Sequence, residues 1–242
     1  MKPILKIGAA ALLLTACNTT PNSDINHNSK TKDQTSQHVN EAGDISTTLF
    51  ENDFLQVKRV DVPVGHFVPM HSGHARVIYS LGDYTLEWTE EGQPTAIKHW
   101  SAGETHSHGD IAHQLTNIGD TAASYLIIER SKKPLPAQAS GLVSAHKDVS
   151  QAEHEHNTPV FEDDKVRLVR VRLNPGESLP PHTGVLRAIY SLGDYQLAWT
   201  EADGSPKLRQ WQSGDTHWHN LGQHSAKNTG DTVAEWLIIE PK

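Results

Sequence analysis

From residue 46 onward the apolar residues of this chain recur mostly at every second position, in short runs. Leu55-Gln-Val-Lys-Arg-Val-Asp-Val62 and Val166-Arg-Leu-Val-Arg-Val-Arg-Leu173 alternate or nearly alternate apolar with polar, as do Tyr84-Thr-Leu-Glu-Trp88 and Tyr195-Gln-Leu-Ala-Trp199. A period of two sends successive side chains to opposite faces, so these runs predict half-buried β-strands. Leu126-Ile-Ile-Glu129 and Leu237-Ile-Ile-Glu240 lack the alternation and predict a more deeply buried strand. Turn signals punctuate the runs at Gly82-Asp83, Ala102-Gly103, Gly119-Asp120, Pro175-Gly176 and Asp203-Gly204. Pro175-Gly176 suits the central pair of a type II turn, with proline fixing the first φ and glycine supplying the positive second one. Many short strands separated by such turns predict an all-β sandwich or barrel.

The pattern occurs twice. Residues 50–129 align with residues 161–240 at a constant offset of 111, without a gap, and 36 of the 80 positions are identical. A fixed-period repeat sets the architecture before any local signal does, and here it predicts one barrel per copy, a pseudo-dimer within one chain. Four histidine pairs are kept: His71/His182, His106/His217, His108/His219 and His113/His224. Between the copies, residues 132–157 read as a linker, with an extended start at Lys132-Lys-Pro-Leu-Pro136 and a short helix over residues 143–153. His154-Glu-His156 reads as part of this exposed polar linker, with metal binding as the alternative.

The first 43 or so residues follow different rules. Lys2 and Lys6 precede a small/apolar stretch, Ile7–Leu14, too short to remain in a bilayer as a spanning helix. Leu14-Thr-Ala-Cys17 then resembles the lipobox of bacterial lipoproteins, with Cys17 the only cysteine of the chain. The resemblance implies a signal peptide ending in a lipidated Cys17 (residues 1–17), a lipid bilayer as partner, and no transmembrane helix in the mature form. Asn18 after the cysteine points to the outer membrane, with the protein facing the periplasm. Acylation supplies more than the two anchoring signals that stable attachment needs. Residues 18–45 are polar and nearly free of apolar side chains, which predicts a flexible tether holding His27 and His38 in solvent.

Composition narrows the chemistry. With Cys17 used as the anchor no internal disulfide can form, so core burial must supply the stability. Formal net charge is −8, with 21 basic against 29 acidic residues and no basic cluster, which argues against nucleic acid as a partner. Histidine is the unusual component, with sixteen in the chain.

Gly65-His-Phe-Val-Pro-Met-His71 and Gly176-Glu-Ser-Leu-Pro-Pro-His182 both read G-x5-H, and His113-Gln-Leu-Thr-Asn117 and His224-Ser-Ala-Lys-Asn228 both read H-x3-N. These resemble the opening of the first cupin motif and the close of the second, with Gly103 and Gly214 ten residues before His113 and His224. The chain is thus similar to the bicupins. The resemblance implies two tandem double-stranded β-helix (jelly-roll) barrels, residues 46–131 and 158–242, whose motif histidines point into one barrel end where metal and substrate meet. The match is incomplete. The second histidine of His71-Ser-Gly-His74 is three positions on instead of two, Val185 replaces it in copy 2, and the motif's glutamate is missing from both copies.

His106 and His108, two apart on a predicted strand, leave the same face, as do His217 and His219. With His71 and His113, or His182 and His224, they place up to four imidazoles at one barrel mouth, a set suited to Zn, Cu, Ni or Fe. Two other arrangements fit the same pattern. The histidines can pack beside Trp100 or Trp218 and donate to backbone carbonyls, or the pair can divide between barrel interior and solvent. Arg76 and Arg187 share a strand face with Ile78/Ile189 and Ser80/Ser191. Facing inward, the guanidinium suits a carboxylate; facing outward, it is a surface or inter-barrel salt-bridge group. Trp100 and Trp211, like Trp88 and Trp199, are core residues or a stacking wall for a sugar. Three functions result: a periplasm-facing binding module for a divalent transition metal or small polar ligand, a metal-dependent cupin enzyme (dioxygenase, isomerase or lyase) acting on a small acid or sugar, or a structural, partner-binding lipoprotein with vestigial sites. Pairwise retention of the histidines favours the first.

Overall fold

A computed structural model of the chain describes residues 37–39 (backbone), 45–136, 155–201 and 204–242. Cys17, the expected signal segment, most of the expected tether and the expected helix over residues 143–153 lie outside the described residues. Every element among the described residues is a strand. Barrel 1 contains β2 (Ile45–Glu51), β3 (Leu55–Val62), β4 (Phe67–His71), β5 (Arg76–Ser80), β6 (Tyr84–Glu90), β7 (Ala96–Trp100), β8 (Thr105–His108), β9 (His113–Asn117) and β10 (Ala123–Arg130). A short β1 (Gln37–Val39), inside the stretch read as tether, pairs antiparallel with β2. Barrel 2 contains β11 (Asn157–Glu162), β12 (Val166–Leu173), β13 (Ser178–Gly184), β14 (Arg187–Ser191), β15 (Tyr195–Glu201), β16 (Lys207–Trp211), β17 (Thr216–His219), β18 (Gly222–Asn228) and β19 (Ala234–Pro241).

The pairing in barrel 1 is nested. β3 pairs with β10, β4 with β9, β5 with β8 and β6 with β7, all antiparallel. This is one long hairpin rolled up, the jelly-roll arrangement, and it yields a sheet β1-β2-β3-β10-β5-β8 facing a sheet β4-β9-β6-β7. Barrel 2 repeats it with β11-β12-β19-β14-β17 and β13-β18-β15-β16. The type II turn at Asn174–Glu177 forms as expected: Glu177 N donates to Asn174 O at 3.0 Å and Gly176 has φ 86°. The asparagines that close the H-x3-N signatures are fully buried turn anchors. Asn117 Nδ2 donates to the Val62 and Thr121 carbonyls, and Asn228 Nδ2 to those of Leu173 and Thr232.

The two large sheets pack against each other. Leu55, Val57, Val77, Tyr79, Leu126 and Ile128 of barrel 1 form one core with Val166, Leu168, Ala188, Tyr190, Leu237 and Ile239 of barrel 2. Arg59 lies beside Tyr190 and, symmetrically, Arg170 beside Tyr79. Phe50 stacks on Trp218 at 5.6 Å between ring centroids. This packing explains why β3 only nearly alternates. Leu55 and Val57 face the other barrel, whereas Val60 and Val62 face the interior of their own, so the apolar phase switches within the strand. β12 switches in the same way, from Val166 and Leu168 to Val169, Val171 and Leu173. β10 and β19 are sandwiched on both faces, as their continuous apolar runs predict. Leu237→Ala, which empties a fully buried position between the barrels, is expected to cost about 2–5 kcal/mol in urea denaturation. Leu208→Ala, at a position 68% exposed, is expected to change stability by no more than about 0.5 kcal/mol.

Candidate functional site

The inward face of the large sheet in barrel 1 carries Arg76, Ile78 and Ser80 from β5, and His106 and His108 from β8, in register: Arg76 lies opposite His108 and Ile78 opposite His106. His71 and His113 lie opposite one another on β4 and β9. All four histidines, Arg76, Trp88 and Trp100 line one cavity of about 220 Å³. The two-residue spacing of His106 and His108 thus places both rings inside, 4.8 Å apart. Barrel 2 assembles His182, His217, His219, His224, Arg187, Trp199 and Trp211 in the same way. The outward orientation weighed for the arginines does not occur, because the opposite face of β5 and β14 is consumed by the inter-barrel core.

The guanidiniums are held by matching contacts. Arg76 Nη1 donates to the His74 carbonyl at 2.9 Å and Nη2 reaches His113 Nε2 at 3.4 Å. Arg187 Nη1 donates to the Val185 carbonyl at 2.8 Å and Nη2 to His224 Nε2 at 3.0 Å. Gly73 and Gly184 make room for them. A Cβ at these positions would stand 1.9 Å and 2.1 Å from the respective Nη1. Gly184→Ala is therefore expected to dislodge the Arg187 guanidinium, destabilising the fold by about 1–3 kcal/mol and shifting the ¹⁵N resonance of His224 Nε2. Sequence reading did not single out these glycines, although both copies keep one two residues after the first-motif histidine.

Backbone carbonyls fix the imidazole tautomers. His71 Nδ1 contacts Pro69 O at 2.9 Å, His182 Nδ1 contacts Pro180 O at 2.8 Å, His113 Nδ1 contacts Ile111 O at 3.2 Å and His224 Nδ1 contacts Gly222 O at 3.3 Å. A carbonyl only accepts, so Nδ1 carries the proton and Nε2 keeps its lone pair. His113 and His224 lie flat on Trp88 and Trp199, each at 4.1 Å. Trp100 stacks on His106 at 5.0 Å, and Trp211 on His217 at 5.6 Å. The tryptophans are thus both core and cavity wall.

Electrostatics keeps these histidines neutral. Burial, then the charges of Lys98 and Arg76, pushes His106 down to about 4. Burial chiefly, with Arg76 among the neighbouring charges, sets His108 near about 3 and His113 near about 4. Burial followed by the Arg187 charge lowers His217 to about 4 and lowers His219 and His224 further. Burial also lowers Arg187, to about 10, which leaves it charged at neutral pH. Lys58 and Glu129, paired at 3.6 Å, complete the charged lining of the barrel 1 cavity. Lys58 was unmarked in the sequence because the phase switch in β3 hides which of its polar residues face inward. Glu104 and Asp215 do not join the site. They cap turns, accepting from Ser101 N at 2.6 Å and Gln212 N at 2.8 Å.

The donors only partly fit a metal. Among the described residues no group of three or more His, Cys, Asp or Glu side chains is arranged to hold a metal ion. The guanidinium occupies the Nε2 lone pair of His113 or His224 that a metal would need, and it adds a fixed positive charge beside any dication. His71 Nε2 keeps its lone pair, and buried His106 Nδ1 has no hydrogen-bond partner among the described residues.

No protein-family profile and no curated protein sequence matches the chain. Solved structures do. An oxalate decarboxylase of Bacillus subtilis with Mn(II) centres superposes at a TM-score of 0.53 and 13% identity, over 81% of this chain and 72% of that one. The oxalate decarboxylase of Lactobacillus farciminis in complex with formate gives 0.54 and 12%, over 83% and 82%. AerE of Microcystis aeruginosa gives 0.57 and 15%, over 82% and 92%. At such identities the likeness defines the fold alone. These structures are bicupins, and the chain has the bicupin fold.

Proposed function

We propose that this chain is an envelope lipoprotein, anchored through acylated Cys17 and facing the periplasm, that binds a small hydroxy-carboxylate in a cupin barrel. The observation that carries the reading is a guanidinium held inside a histidine-lined, tryptophan-walled cavity. Arginine is suited to carboxylates because its planar fork matches their two oxygens. The neutral imidazoles dictate the rest of the ligand. His71 presents a lone pair at Nε2, so its complement is a donor such as a hydroxyl, not a second anionic oxygen. A cavity of about 220 Å³ falls below the range of drug-sized pockets, which favours an acid of a few carbons.

Calorimetric titration of the untagged full chain in detergent tests this with two probes that differ by one hydroxyl. Glycolate is expected to bind roughly tenfold or more tightly than acetate, the difference expected of one buried hydrogen bond to an otherwise unpaired nitrogen. Equal affinity, or no binding of either, would reject the reading. A transition metal at His71, His106, His108 and His113 is the second reading, supported by the four retained imidazole pairs. It requires the guanidinium to withdraw from Nε2. Elemental analysis of the same protein, purified without chelator, separates the two: about one equivalent of Zn, Cu, Ni or Fe per chain, lost in His71→Ala, supports the metal.

A further inference from the structure

The two barrels share their imidazoles, guanidinium and tryptophans, yet their interiors differ sevenfold in size, about 220 Å³ in barrel 1 and about 30 Å³ in barrel 2. About 30 Å³ exceeds the roughly 10–15 Å³ that one water needs, so barrel 2 admits water but is tight for a carboxylic acid. Four substitutions between the copies accompany the loss. At the mouth, Val185 and Leu186 replace His74 and Ala75. The apolar pair is buried, 9% and 8% exposed, whereas His74 and Ala75 are exposed. In the floor, Trp236, only 6% exposed, replaces the smaller Tyr125. Along the wall, Val169 replaces Lys58, which removes the Lys58–Glu129 pair from the lining.

We propose that ligand capture is confined to barrel 1, with one site per chain, and that barrel 2 is a closed copy in which Arg187 and His224 form a structural pair. Residues 74, 75 and 125 decide admission, and positions 185, 186 and 236 deny it. The inference rests on the reading that the barrel cavities take a small anion, but the size difference is a property of the fold that can be measured apart from any ligand.

The experiment places a thiol at matching depth in each barrel. Ile78 and Ile189 line the two cavities and are 3% and 6% exposed. Ile78→Cys and Ile189→Cys, each in the full chain in detergent, are treated with 2-sulfonatoethyl methanethiosulfonate, an anionic thiol reagent, and labelling at each site is followed by peptide mass spectrometry. The thiol of Ile78→Cys is expected to react at least tenfold faster than that of Ile189→Cys. Adding Val185→His, Leu186→Ala and Trp236→Tyr to Ile189→Cys is expected to bring its rate towards that of Ile78→Cys. Equal rates in the parent background, fast or slow, would overturn the proposal. If the thiol variants fold poorly by circular dichroism, glycolate stoichiometry on the unaltered chain decides: one site per chain supports confinement, two equivalent sites overturn it. Selective labelling of Ile78→Cys without glycolate binding would leave the asymmetry standing and reject the ligand class instead.

Discussion

Lowering the pH from about 6.5 to about 4 is expected to unfold this protein steeply. His106, His108, His113 and His217 are held near pKa values of 3 to 4 in the folded state, and His219 and His224 are lowered as well. In the unfolded chain each returns to about 6.5. Between those values the unfolded state binds protons that the folded state refuses, so stability rises with pH across the window. It is fully present above about 6.5 and is lost as the pH falls towards the folded values. The slope approaches about 1.4 kcal/mol per pH unit for each histidine titrating in this way, and six act together. Solvent relaxation reduces the sum, but a few such groups suffice to remove a typical domain stability of about 5–15 kcal/mol. Thermal melts at half-unit pH steps check this directly. A melting temperature that stays flat from pH 7 to 4.5 would mean that the imidazoles are not buried neutral beside the guanidiniums.

Arg76→Gln is expected to weaken carboxylate binding strongly while sparing the fold. Glutamine keeps a donor but loses the charge and the fork, and removing one partner of a buried charged pair costs about 2–5 kcal/mol of affinity. That is a weakening of roughly 30-fold or more for glycolate. The same change removes a positive charge that depresses His106, His108 and His113, so their folded pKa values should rise towards the unfolded value and acid unfolding should set in at lower pH, which the same thermal melts can follow. A purely packing role for Arg76 would leave glycolate affinity unchanged. His71→Ala provides the complementary contrast. It should erase the preference for glycolate over acetate and leave acetate binding near its original level.

Much of this was legible before folding. The 111-residue offset announced two barrels, and the two-residue spacings placed His106 with His108 and His217 with His219 on common faces. The H-x3-N and G-x5-H fragments pointed to the jelly roll that the nested pairing displays. These features depend on local geometry: the period of a strand, the φ demanded by a turn, and the tendency of duplicated sequence to fold the same way twice.

What the chain alone left open depends on which surface each strand finds. The orientation of Arg76 and Arg187 followed only from the packing of the large sheets against each other, which takes Val77 and Tyr79, and Ala188 and Tyr190, into the shared core and turns the arginines inward. That same burial on both faces blurred the alternation of β3 and β12, so Lys58 passed as an ordinary surface residue. Gly73 and Gly184 gained their meaning from a guanidinium three positions along the chain that fills the space where a Cβ would stand. The unequal cavities were equally hidden, although every substitution responsible is plain in the aligned copies. Periodicity states which side chains share a face; only the closed barrel states how much space remains between the faces, because volume arises from residues distant in sequence that meet across the core.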